Sequence, residues 1–237
     1  MERSSIEQLV ADNVAYIRSE MAEACHRAGR PADAVQLLAV TKTVSPEKIN
    51  AAIQFGINQI GENRVQEYLK KRDDLMLEGV KTHLIGHLQT NKVRQIVGQV
   101  DMIESVDSLR LAKAISERSE TLQIITPILV EVNIGGEDAK SGIEPENLEQ
   151  LLLECSKLSG IKVQGLMTIP PILHTEREKR EIFSKMYQLF VDIKGKKIDN
   201  IDMQELSMGM SGDFREAILE GATIVRVGSA LFGERQY

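Results

Sequence analysis

Apolar and polar positions along the chain follow two rhythms. Over residues 5–28, Ile6, Leu9, Val10, Val14, Ile17, Met21 and Cys25 recur every three to four residues with charged positions between them. That spacing predicts an amphipathic helix, and Gly29-Arg30-Pro31 stops it. Short apolar runs then take over, at 35–40, 57–60, 82–85, 102–105, 128–132, 163–167, 203–206 and 223–227. Most lack polar alternation, as expected of strands in a parallel sheet covered on both faces. Helical patterns separate them. Ser45-Pro46 reads as an N-cap with a first-turn proline, Gly56 and Gly221 read as helix stops, and Asn63, Thr90, Asp107 and Ser211 read as further N-caps. The alternation predicts an α/β fold: a single (β/α)8 barrel of the TIM type over 35–233, preceded by an extra N-terminal helix within 1–30. A doubly wound open sheet shares the alternation and is the competing architecture. No compositional break marks a second domain, so 1–237 reads as one.

Composition narrows the field. The best apolar stretch, 124–132, is interrupted by Thr126, Pro127 and Glu131, too short and too polar to cross a bilayer. The opening residues pass straight into a polar-faced helix, so no signal peptide is expected. Two cysteines, Cys25 and Cys155, fall at apolar positions of helical segments, which argues against a disulfide framework and for a reducing cytoplasm. A net charge of −6 argues against nucleic acid as the main partner.

Candidate chemistry collects at the strand ends. There the chain places Thr41-Lys42-Thr43, Gly61-Glu62-Asn63-Arg64, Gly86-His87, Asn133, Met167-Thr168, Ser207-Met208-Gly209 and Arg226-Val227-Gly228-Ser229. In a barrel those ends form the functional face. Lys42 directly follows the first strand, where partial desolvation and neighbouring cations would favour the neutral amine that condenses with an aldehyde. The same placement also suits a lysine that merely reaches the rim. Gly228 and Ser229, after the last strand, suit an anion held by backbone N–H groups, with Ser207 adding a hydroxyl and the helix at Ser211 its positive end. A simple tight turn at Gly228 is the plainer account. Arg226 on the last strand would need a buried partner. His83 and His87 are four apart on a strand rather than a helix and have no neighbouring acidic or cysteine ligand in sequence, so no metal site is expected. Neither a G-x-G-x-x-G after the first strand nor a P-loop pattern occurs.

Several segments together carry a resemblance. These are Leu38-Ala39-Val40-Thr41-Lys42, Gly61-Glu62-Asn63-Arg64-Val65-Gln66-Glu67, Ile85-Gly86-His87-Leu88-Gln89-Thr90-Asn91-Lys92, Gly165-Leu166-Met167-Thr168, Leu206-Ser207-Met208-Gly209-Met210-Ser211, and the closing 225–233. In order and spacing, across essentially the whole chain, the sequence resembles the pyridoxal phosphate homeostasis protein family. The resemblance implies a barrel like the N-terminal domain of bacterial alanine racemases. It implies pyridoxal 5′-phosphate held as an aldimine (Schiff base) on Lys42, with Arg226 facing the pyridine nitrogen. Ser207, Gly228 and Ser229 would hold the phosphate, and Asn63 and Met167 would line the ring. The implied role is a non-catalytic carrier, expected as a monomer, that supplies apo-forms of cofactor-dependent enzymes. The competing reading is a single-domain amino-acid racemase. Against it stand a chain expected to lack the second, β-rich domain of alanine racemases, and tyrosines (Tyr16, Tyr68, Tyr187 and Tyr237) of which none ends a strand. The sequence departs from the family in one place: Thr82 stands where the family commonly carries tryptophan.

Overall fold

Each apolar run becomes a strand, with ends shifted by at most two residues. The computed structural model describes residues 5–137 and 141–233. Its strands are β1 (Gln36–Val40), β2 (Gln59–Glu62), β3 (Lys81–Leu84), β4 (Met102–Val106), β5 (Thr126–Glu131), β6 (Ile161–Met167), β7 (Ile201–Ser207) and β8 (Ile224–Val227). They follow one another round a closed parallel barrel, and β8 pairs with β1, Leu38 opposite Arg226. The closed barrel, and not the open sheet, is therefore the fold.

The helices are α1 (Ser5–Arg27), α2 (Pro46–Gln54), α3 (Val65–Lys71), α4 (Val93–Ile96), α5 (Leu109–Thr121), α6 (Pro145–Cys155), α7 (Glu176–Lys196), α8 (Phe214–Leu219) and α9 (Ser229–Phe232). Pro46 opens α2 as expected, and Gly56 and Gly221, at φ 92 and φ 100, follow α2 and α8. Both take a left-handed conformation that costs glycine little. Three expected N-caps move along the chain. Arg64 stands in place of Asn63, Ser108 in place of Asp107, and Asp213 in place of Ser211. Thr90 opens a 3₁₀ turn, Thr90–Lys92, ahead of α4. The reason is visible in two cases: the hydroxyl of Ser108 accepts from the Leu111 N–H, and that of Ser211 is taken up elsewhere.

Side chains sort into two apolar layers. Residues such as Ala39, Ile60, Ile103, Val130, Val225 and Val227 pack outward into the large core under the helices. Inside the barrel sit smaller groups, Leu38 with Ile85 and Ile224, and Met102 with Leu129 and Met167. Between and above these lie buried polar side chains: His83, Glu104, Ser207 and Arg226. The expectation of uniformly apolar strands thus holds for the outward face and fails inside the barrel. The leading helix α1 lies against α2, α8 and α9, with the Asn13 side-chain amide donating to the Leu231 carbonyl at 2.9 Å. No helix among the described residues is long and apolar enough to cross a membrane.

Candidate functional site

Lys42 lies two residues beyond β1 and is partly buried. Beneath it, Thr41 is anchored to the next strand. Its hydroxyl bonds to the Glu62 carboxylate, which also takes the Lys71 ammonium at 2.6 Å. Glu62 is fully buried, and burial pushes its carboxyl up, against the pull of Lys71 and Thr41. Lys42 lines a cavity of about 300 Å³ whose other wall is made by Gly228, Ser229 and Phe232. The barrel closure causes this meeting, because β8 pairs with β1 and the segments that follow them lie side by side. The Gly228 N–H and the Ala230 N–H both donate to the Ser211 hydroxyl, at 3.2 and 3.3 Å. A Cβ at Gly228 would come within 3.3 Å of the Val40 Cβ, so the backbone approaches β1 closely there. Lys48 on α2 lines the same cavity, and no carboxylate lines it among the described residues.

Arg226 is buried inside the barrel near the end of β8. Its two terminal nitrogens donate to the Ser207 hydroxyl and the Thr168 carbonyl, both at 2.7 Å. Ser207 in turn donates to Glu104 at 2.6 Å, and the other oxygen of Glu104 meets His83 Nδ1 at 2.7 Å. Burial draws the Arg226 guanidinium below its ordinary value, against the opposing pull of Glu104, Glu131 and Asp213. Burial alone would raise the Glu104 carboxyl, but His83, Arg226 and Ser207 together carry it below the usual carboxylate range. A charged line therefore runs from the mouth down through the barrel. It supplies the buried partners that Arg226 requires.

The remaining expected residues divide. Met167 is buried inside the barrel against Met102 and Leu129. Asn63 is half-buried at the end of β2, and its side-chain oxygen is buried without a partner. Asn133 is turned to the loop after β5, donating to Glu144 and to the Glu137 carbonyl. His87 is well exposed, 3.6 Å from Asp107. The histidines thus acquire acidic neighbours that the sequence did not reveal. No cluster of three metal-ligating side chains forms among the described residues. Tyr68 spends its hydroxyl on the Gln99 carbonyl, Tyr16 lies on α1 and Tyr187 on α7, while Tyr237 falls outside the described residues.

Ser207 is the expected residue whose surroundings differ most from expectation. Its hydroxyl is buried between Arg226 and Glu104 rather than presented with Gly228 and Ser229. Sequence reasoning missed Glu104 and Lys48, and it placed Thr168 at a strand end without giving it a partner. A carboxylate in the middle of the apolar fourth strand was the available signal for Glu104, since a buried charge demands partners. Lys48 gave no signal, because a lysine near a helix start is ordinary surface chemistry.

The family described as alanine racemase, N-terminal domain, matches residues 13–236. A pyridoxal phosphate homeostasis protein of Aquifex aeolicus is 44% identical over 95% of this chain and 98% of its own. A crystal structure of a protein from Bifidobacterium adolescentis is 39% identical, superposes with a TM-score of 0.92 and covers 98% of both chains. PipY of Synechococcus elongatus, solved with PLP bound, is 34% identical, with a TM-score of 0.84 over 94% of this chain and 100% of its own. On a match that spans the barrel and on identities of this size, the chain belongs to the pyridoxal phosphate homeostasis protein family.

Proposed function

We propose that this chain binds pyridoxal 5′-phosphate covalently at Lys42 and holds it as an exchangeable reserve without turning over a substrate. The observation that carries the reading is the shared cavity, with Lys42 on one wall and Gly228 and Ser229 on the other. Its donor set fits the cofactor. The N–H groups of Gly228 and Ala230 converge on one point, the Ser211 hydroxyl, where a phosphate oxygen would find the same donors. Lys48 adds positive charge to the cavity wall. The orphaned oxygen of Asn63 offers an acceptor to a ligand hydroxyl. When bound, the cofactor supplies an aldehyde carbon to which a lysine nitrogen bonds while the carbonyl oxygen leaves as water.

The protein's own groups then have distinct parts. Lys42 supplies the amine. Gly228, Ser229 and Ala230 receive the anion, and Met167 gives the apolar floor. Arg226 places a permanent positive charge beneath the mouth, which disfavours a proton on a nearby pyridine nitrogen and so weakens the ring as an electron sink. Ser207 holds Arg226 rather than the phosphate. The same geometry supports the non-enzymatic role. Racemisation needs a second acid or base on the opposite face of the substrate carbon, and the described tyrosines are placed on α1, α3 and α7. A cavity at the mouth of the barrel suits release of the cofactor to apo-forms of enzymes that use it.

Borohydride reduction of protein incubated with pyridoxal phosphate, followed by peptide mapping, tests the reading. A stoichiometric pyridoxyl adduct on Lys42 is expected, with none in Lys42→Ala. An adduct mapped mainly to Lys48 or Lys92 would refute it. Incubating the loaded protein with L-alanine in deuterated water tests the carrier role, and label uptake at about one turnover per second or faster would make it an enzyme.

A further inference from the structure

The turn that carries Lys42 is closed by the Val44 N–H donating to the Thr41 carbonyl at 3.1 Å, and its third residue, Thr43, has φ 62. That left-handed region is readily occupied by glycine and asparagine and poorly by a β-branched residue. Among the described residues, the other non-glycine positions of positive φ are Gln123, Lys197 and Asn200, none of them β-branched. Strain of this kind persists only where the surroundings over-determine it.

Here the surroundings are one face of α3. The Glu67 carboxylate accepts from the Thr43 N–H at 2.5 Å and meets the Lys71 ammonium at 3.2 Å. One helical turn on, that ammonium donates to the Thr41 carbonyl at 2.7 Å, besides its pairing with Glu62. Thr41 and Thr43, the neighbours of Lys42 on either side, are thus each tied to the same ion pair. A side chain at the second position of a turn takes its direction from the backbone on both sides of it.

We infer that Glu67 and Lys71 are positioning residues, which hold Thr41 and Thr43 so that the Lys42 amine enters the cavity it shares with Gly228 and Ser229. The inference rests on the cofactor reading for what Lys42 does, but the clamping of the turn stands apart from it. A merely structural ion pair within α3 would stabilise the helix and leave Thr43 alone.

The experiment compares wild type, Glu67→Ala, Glu67→Gln, Thr43→Asn and the Glu67→Ala/Thr43→Asn double variant. Two quantities are read: hydrogen exchange of the residue 43 amide without cofactor, and the dissociation constant for pyridoxal phosphate. Glu67→Ala should speed exchange and weaken binding on the order of tenfold, the factor that backbone strain of this type represents. Glu67→Gln, which keeps an acceptor oxygen, should recover most of the loss. Asparagine tolerates the left-handed conformation, so in the Thr43→Asn background Glu67→Ala should cost less than about twofold. Equal losses in both backgrounds, or exchange at Thr43 indifferent to Glu67→Ala, would overturn the inference. If wild type takes up no cofactor, the binding reading fails and the exchange measurement decides the clamp by itself.

Discussion

Glu104→Gln probes the buried line beneath the mouth while keeping the shape of the side chain. The carboxylate is wholly buried, accepts from Ser207 at 2.6 Å and pairs with His83 at 2.7 Å. Through Ser207 it also offsets the Arg226 guanidinium, itself 3% exposed. Removing one charge from a buried network of this kind costs 3–5 kcal/mol as a rule, because the partner is left uncompensated. Glu131 and Asp213 still oppose the Arg226 charge, and the glutamine can keep one hydrogen bond, so the low end applies, about 3 kcal/mol. For a chain of this size that lowers the melting temperature by roughly 6–12 °C at pH 7. The pH dependence is the sharper test. The folded Glu104 carboxyl lies below its unfolded value, so its contribution is present above the unfolded value and lost as pH falls through the folded one. The gap between wild type and variant should therefore be full at neutral pH and close progressively below about pH 4. Thermal unfolding without cofactor, followed by circular dichroism across that range, measures it. A neutral-pH gap within about 1 °C, or one that stays constant on acidification, would refute the charge argument.

Three other outcomes follow from the same geometry. Lys48→Met should weaken pyridoxal phosphate on the order of tenfold and leave unphosphorylated pyridoxal unchanged, as measured by absorbance titration; equal losses for both would remove Lys48 from the phosphate. At Gly165 an added Cβ would sit 1.8 Å from the Glu205 carbonyl oxygen, and backbone cannot yield as a flexible side chain would. Gly165→Ala should therefore fail to give soluble folded protein, and a variant that melts like wild type would contradict the packing. Burial pushes the Cys155 thiol to about 11, so in folded protein at pH 8 it should resist a thiol reagent over hours and react at once in denaturant.

The apolar runs made the barrel legible because a parallel strand needs a continuous outward-facing apolar row, and eight such rows at regular spacing leave few other arrangements. Lys42, Gly228 and Ser229 were legible for a related reason: each ends an apolar run, and barrel closure brings the first and last runs together. The exact caps were not, since Asp107 and Ser108 are equally good capping residues and the choice depends on which of them the fold draws to His87. The partners of Glu104 and Thr168 escaped notice because they are remote in sequence. Ser207 and Glu104 are separated by 103 residues, and Thr168 and Arg226 by 58. For Ser207 the strand-end position was legible, and its contacts with Arg226 and Glu104 were not. Strand periodicity says which side of the sheet a residue occupies and nothing about which charge it will meet there.

The buried line is a poor way to stabilise a barrel. Interiors of such barrels are commonly filled by branched apolar layers, and exchanging a buried ion network for apolar residues of similar volume is often neutral or stabilising. The chain nonetheless carries Arg226, Glu104 and His83 through the middle of its core, and it holds Thr43 in a conformation that threonine resists. These two departures involve different strands and different chemistry. Both bear on the same end of the barrel, one beneath the mouth and the other beside Lys42. Stability explains neither. A requirement for a fixed positive charge under the mouth and a fixed direction for the Lys42 amine explains both, since each feature surrenders folding free energy to define one group at the cavity. On this account a variant that relaxes the turn at Thr43 should leave the fold intact and degrade the site, whereas outward-facing changes such as those in the layer around Ile103 and Val225 should do the reverse.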